Sequence, residues 1–177
     1  MIRALVAGLC VVLGGCTANG PKYEQIQSAI PEMSPGSARV FFFRERGVSS
    51  SLRPEIRLND VSVGRSVPGS FFFVDRPAGK YVAAVGREAG GRLAVPLEAG
   101  QVLYVRSYIT TGAQVGYAQL ELASKSQWDQ ALPRLAYIGT TISPAAVQPA
   151  STQRAGPGPA GPPDKARMED LRGLLPK

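Results

Sequence analysis

Arg39-Val40-Phe41-Phe42-Phe43-Arg44 and Ser70-Phe71-Phe72-Phe73-Val74-Asp75 hold all six phenylalanines of the chain in two triplets. Aromatic and β-branched residues suit the pleated, half-buried setting of a strand. Alternate side chains of a strand point to opposite faces. Each triplet therefore puts bulky aromatics on both faces of its sheet. One face belongs to a core between sheets. The other is expected to lie under a helix or loops of the same molecule. Left open, it would be the kind of apolar patch that marks an interaction site.

Working outward from these two runs, the dominant period is two. Glu55-Ile56-Arg57-Leu58 and Val61-Ser62-Val63 flank Asn59-Asp60, a pair that tolerates positive φ and suits a two-residue hairpin. Pro77-Ala78-Gly79 turns into Lys80-Tyr81-Val82-Ala83-Ala84-Val85, and Gly90-Gly91 into Arg92-Leu93-Ala94-Val95-Pro96-Leu97. Ala99-Gly100 introduces a run over 101–109, and a last strand is predicted over 113–122. Short strands at regular spacing with turn signals between them predict an all-β fold. The expectation is a single antiparallel β-sandwich of seven to eight strands, with an open barrel as its rival. One short helix follows. Ser124-Lys125-Ser126-Gln127 has the form of a capping box, and Trp128, Ala131, Leu132 and Leu135 make one apolar face. Pro133 lacks a backbone donor, so the helix should stop near Leu132.

Composition divides the rest. Met1-Ile2-Arg3 carries one positive charge, and Ala4–Leu13 is an apolar run broken by Gly8. About twenty residues are needed to cross a membrane as a helix. This run is too short, and with the small residues after it residues 1–15 read as a secretory signal. Residues 16–37 hold Cys16 and a polar, Pro-containing stretch, read as a tether. Residues 38–142, about 105 residues, suffice for one domain with its own core. Residues 143–177 are rich in Pro, Ala, Gly and Gln and read as a disordered tail. Asp164 could there cap a short terminal helix bearing Met168, Leu171 and Leu175.

Leu13-Gly14-Gly15-Cys16 resembles the processing site of bacterial lipoproteins. The resemblance implies that the Cys16 thiol takes a diacylglycerol, that cleavage precedes it, and that the new amino group is acylated too. Two or more chains anchor stably where one does not. Thr17 stands where lipoproteins kept in the inner membrane often have Asp, which points to the outer membrane, facing the periplasm. Residues 38–122 in turn resemble an uncharacterised domain family of short bacterial lipoproteins. The carrying residues are the two Phe triplets, Val61-Ser62-Val63-Gly64, Pro77-Ala78-Gly79 and Gly100-Gln101-Val102-Leu103-Tyr104-Val105. Asp60 departs from that pattern, where a Gly is common, as does Tyr81, where relatives often carry His. The likeness implies a fold and a compartment, not an activity.

On this reading Cys10 leaves with the leader and Cys16 is consumed by lipid, so no disulfide can form within the fold. The chain has no histidine, which removes His-activated nucleophiles and the usual zinc sites. Gly64-Arg65-Ser66-Val67-Pro68 begins like a nucleophile elbow but lacks its closing glycine. The acids fall mostly at strand ends and turns. No catalytic residue, metal site or cofactor is expected. The net charge is +7, or +6 once Arg3 leaves. Arg39, Arg44, Arg46, Arg53 and Arg57 concentrate positive charge early in the domain as candidate binding residues, since arginine forks match phosphate and carboxylate oxygens. They also read as solvated strand flanks that discourage edge pairing. Nucleic acid is not an expected partner, because no recognition motif appears. Two readings follow: a non-catalytic envelope lipoprotein that docks another envelope protein, or a module that binds an anionic glycan or lipid headgroup through its arginines.

Overall fold

The two phenylalanine triplets form neighbouring strands, β1 (Ser37–Arg44) and β4 (Ser70–Pro77), which run antiparallel. Their register sets Phe41 opposite Phe73, Phe42 opposite Phe72 and Phe43 opposite Phe71. This computed structural model describes residues 18–47, 51–86, 91–111 and 116–142. The expectations for the leader, Cys16 and the tail from residue 143 lie outside the described residues.

The remaining strands are β2 (Glu55–Leu58), β3 (Val61–Arg65), β5 (Gly79–Val85), β6 (Arg92–Leu97), β7 (Val102–Thr111), β8 (Gly116–Ala123) and β9 (Ala136–Tyr137). They form two sheets, ordered β8-β7-β1-β4-β9 and β3-β2-β5-β6, and neither closes into a barrel among the described residues. The predicted hairpin at Asn59-Asp60 is present, with φ of 45° and 65° at its two central residues. The Asn59 side chain further accepts from the Val82 N–H at 2.9 Å, tying the hairpin to β5.

A purely antiparallel arrangement is not what forms. β7 runs parallel to β1, and β9 runs parallel to β4. Between β1 and β7 the chain builds the whole second sheet, β4 aside, before it returns. Gly100 N–H donates to Ser37 O at 2.8 Å and Arg39 N–H to Gln101 O at 2.9 Å, fixing where the return begins. The ninth strand, β9, was not expected either.

Helix α2 (Lys125–Ala131) starts as its capping box requires. Gln127 N–H donates to Ser124 Oγ at 3.2 Å, and Ser124 N–H to Gln127 Oε1 at 2.8 Å. It passes into a 3-10 turn, Leu132–Arg134, at the proline. Trp128 hangs from this helix onto the first sheet. Its ring centroid lies 4.9 Å from Phe41, 5.5 Å from Phe43, 5.4 Å from Phe71 and 5.3 Å from Tyr104. On the opposite face Phe42 and Phe72 stack at 5.2 Å. A Cβ on Gly64 of β3 would meet the Phe72 ring at 2.6 Å, so glycine is what lets the second sheet come this close. All six phenylalanines are buried, and both sheets contribute to one apolar cluster.

The segment read as a tether is largely part of this structure. Tyr23–Ile26 form a short helix, α1, followed by a 3-10 turn at Gln27–Ala29. Ile26 is fully buried, and Tyr23 packs against Phe71 and Trp128. Docking begins earlier still. Tyr137 N–H donates to Pro21 O at 2.8 Å, and a Cβ on Gly20 would overlap the Tyr137 carbonyl oxygen. Tyr23, Ile26, Ala29 and Ile30, apolar residues in a polar stretch, pack on the core, and Tyr23 joins α2 in covering the aromatic face.

Candidate functional site

The five arginines singled out from the sequence do not form one cluster. Alternation along β1 sends Arg39 to the Trp128 face and Arg44 to the face that meets the second sheet. Arg39 is 8% exposed and is held by Asp75, by a 2.8 Å bond to Pro31 O, and by the Phe73 ring beneath its guanidinium. Arg44 is 4% exposed and donates to Leu52 O at 2.7 Å and Ser66 O at 3.2 Å. Burial lowers its pKa from the ordinary value, yet a guanidinium stays charged at neutral pH. Beside it Ser66 and Ser107 share a hydrogen bond of 2.8 Å, and Ser107 Oγ also donates to Phe43 O. Both arginines are structural members of the fold. Neither is a free binding group.

Arg57 lies within the second sheet, where it donates to Gly86 O at 3.0 Å and stands 3.7 Å from Glu55. Arg53 is exposed at the rim of a shallow, largely apolar hollow of about 310 Å³, lined also by Leu52, Val85, Ile109 and Tyr117. Arg53 also accepts from Arg65 Nε at 3.3 Å through its carbonyl, and Arg46 is exposed where it lines hollows with other cations.

Two hollows meet at Arg46 and its neighbour Glu45. One, of about 280 Å³, is lined by Arg44, Glu45, Arg46, Arg106, Tyr108 and adjoining backbone. There Arg106 bridges Glu45 and Glu121, with both contacts at 3.0 Å, and lies 5.9 Å from the Tyr108 ring. The other, of about 220 Å³, is lined by Lys22, Glu45, Arg46 and Arg134. Lys22 is placed by the end of the 3-10 turn after α2, because its Nζ donates to Pro133 O at 3.2 Å and Leu135 O at 3.1 Å. Carbonyls at the end of a helix lack partners within it, and a cation there is favourable. Among the described residues Arg46 and Arg134 enter no ion pair. The hollow thus sets three cations against one carboxylate, which Arg106 engages from the other side while also pairing with Glu121.

Sequence reading picked out Arg46 but missed Lys22, Arg106 and Arg134. Lys22 lies in the stretch whose composition reads as a tether. Arg134 followed a helix-ending proline and carried no signal of its own beyond being basic. Chemically, the arrangement can receive an oxyanion. Among the described residues no group of three or more His, Cys, Asp or Glu side chains could hold a metal ion.

Residues 34–118 match the family described as "Protein of unknown function (DUF2846)". The match runs from the turn before β1 into β8, and so takes in Arg46 but leaves Lys22 and Arg134 outside it. An "Uncharacterized protein" of Haemophilus influenzae is 26% identical over 137 residues, spanning 75% of this chain and 82% of its own length. Among solved structures, the N-terminal domain of AlgF from P. aeruginosa covers 52% of this chain and all of its own, at 20% identity and a TM-score of 0.34. That likeness is too loose to bear on the fold.

Proposed function

We propose that this chain is a non-catalytic, lipid-anchored module of the bacterial envelope that binds an anionic envelope component. In this reading residues 1–15 are cleaved, Cys16 is acylated, and the protein is held at the outer membrane facing the periplasm. Its two sheets pack as a β-sandwich behind that anchor. One observation carries the choice of ligand class: the aromatic faces are covered by α1 and α2 on one side and by the second sheet on the other, which leaves cationic side chains facing solvent at the hollows around Arg46. A docking partner for an open aromatic patch loses its basis, since all six phenylalanines are buried.

The reading is tested in two measurements. Detergent-extracted protein should show a diacylglycerol-modified Cys16 by intact mass, and Cys16→Ser should abolish that mass and leave a protein that a high-salt wash removes from membranes. Separately, Cys16→Ser protein should bind envelope fragments at low salt and elute as ionic strength rises from about 0.1 M to about 0.5 M, as screening demands. Retention that ignores salt would overturn the anionic reading. An unmodified Cys16 would overturn the anchor.

A further inference from the structure

We propose that the hollow between Lys22, Arg46 and Arg134 binds the phosphate of an anionic lipid headgroup in the membrane to which Cys16 is attached, which rests on the lipid-anchor reading above. Three observations carry this. The first is charge left over. Lys22 is oriented by two carbonyl oxygens and not neutralised by them. Arg46 and Arg134 are exposed and make no ion pair among the described residues. Glu45, the one acid of the lining, is engaged by Arg106 at 3.0 Å. Guanidinium forks match phosphate oxygens two at a time, and an ammonium adds a point charge beside them.

The second is size. At about 220 Å³ the hollow is smaller than the roughly 300–1,000 Å³ of pockets that enclose drug-sized ligands. It suits a compact ionic group whose remainder stays outside, as a headgroup does when its acyl chains stay in the bilayer.

The third is reach, and it commits the site to lipid. A free tether over residues 16–37 would let the domain stand roughly 70 Å from the membrane. Gly20 and Pro21 are instead docked on Tyr137. Three residues, and so four chain steps, separate Cys16 from Gly20, a span of roughly 14 Å at full extension. Lys22 follows two positions later. A lipid on Cys16 therefore holds this cationic hollow beside the headgroup layer, where each basic residue raises affinity for anionic membranes roughly fivefold.

The test uses residues 16–177 carrying Cys16→Ser, which keeps every described element and removes the anchor. It should co-sediment with vesicles containing phosphatidylglycerol and not with pure phosphatidylcholine. Arg46→Ala with Arg134→Ala should weaken that binding about twenty-five-fold, and Arg46→Gln or Arg134→Gln alone about fivefold. Arg53→Ala with Arg92→Ala removes the same charge from exposed positions outside the hollow and should weaken binding far less. Equal losses in the two double variants would overturn the site while leaving a generally anionic-binding surface. Binding of inorganic phosphate, blocked by the Arg46 and Arg134 changes but with no vesicle binding, would overturn the lipid source. Failure to bind either probe would overturn the proposal, whereas acyl mass on Cys16 judges the anchor independently.

Discussion

Arg39 and Asp75 stand directly opposite each other on β1 and β4, and two bonds of 2.7 Å join the guanidinium to both carboxylate oxygens. The guanidinium also lies 4.7 Å over the Phe73 ring. The pair closes the end of the aromatic layer. Its side chains are 10% and 29% exposed, so it is neither a solvated surface pair nor a fully dry one. Asp75→Asn preserves shape while removing the charge that Arg39 faces. It should lower the unfolding free energy by about 1.5–3 kcal/mol, the range for hydrogen bonds to charged groups. Urea unfolding followed through Trp128, the chain's one tryptophan, measures this directly. A loss under about 0.5 kcal/mol would class the pair with ordinary surface ion pairs.

Gly20 is a second point where one atom decides a packing. An added Cβ would overlap the Tyr137 carbonyl oxygen, which is backbone and cannot swing aside. Gly20→Ala should therefore lift the segment around Pro21 and α1 off the sheet, with a loss of about 1–3 kcal/mol from strain. Faster amide exchange at Tyr137, whose N–H donates to Pro21 O, would report the release. Exchange unchanged from the parent would show that the segment is held from Tyr23 onward alone.

These two contacts mark where sequence reading stops. Eight strands were legible because period-two runs alternate with Gly, Pro and Asn-Asp turns, and those signals are local. The parallel pairing of Phe41 with Tyr104 was not, because turn residues record a reversal of direction and not which strand a returning chain will join. β9 has two residues and offers no period. Tyr23 and Ile26 stand among polar residues in the sequence, and their packing follows from the core they meet, Tyr23 against Trp128 and Phe71. At the site, counting arginines could not tell Arg39 from Arg46. The first meets a carboxylate 36 positions along the chain, while the second lines a hollow with Lys22 and Arg134, a grouping that no spacing encodes.

Tyr104 supplies a pH dependence. Its ring stacks on Trp128 at 5.3 Å and on Phe41 at 5.8 Å. Burial pushes the phenol above its ordinary value of 10.0; Lys125 pulls it back, while Asp129 and Tyr23 add to the rise. The folded protein then holds this proton more tightly than the unfolded chain does. The stability this contributes is whole below about pH 10 and is lost as pH rises through the folded value. Thermal unfolding between about pH 8 and about pH 11 should show the decline in the parent, and a shallower one in Tyr104→Phe. Parallel curves for the two proteins would remove Tyr104 as its source.

The hairpin makes the opposite kind of prediction, a gain. Asp60 is held at φ of 65° after Asn59 at 45°, in the left-handed region on both counts. Asparagine tolerates that region, and here its side chain also accepts from Val82 N–H at 2.9 Å. Asp60 has no such bond among the described residues and is exposed, so its side chain offsets little of the cost of that conformation. Glycine reaches the same φ without a Cβ clash and is the favoured second residue of such turns. Some of that gain is returned, because glycine also leaves the unfolded chain more freedom to lose. Asp60→Gly should still raise stability by about 0.5–1 kcal/mol, since left-handed geometry costs other residues about 1–2 kcal/mol. The midpoint of urea unfolding should rise with its slope unchanged. A lower midpoint would mean that Asp60 holds the turn through its charge.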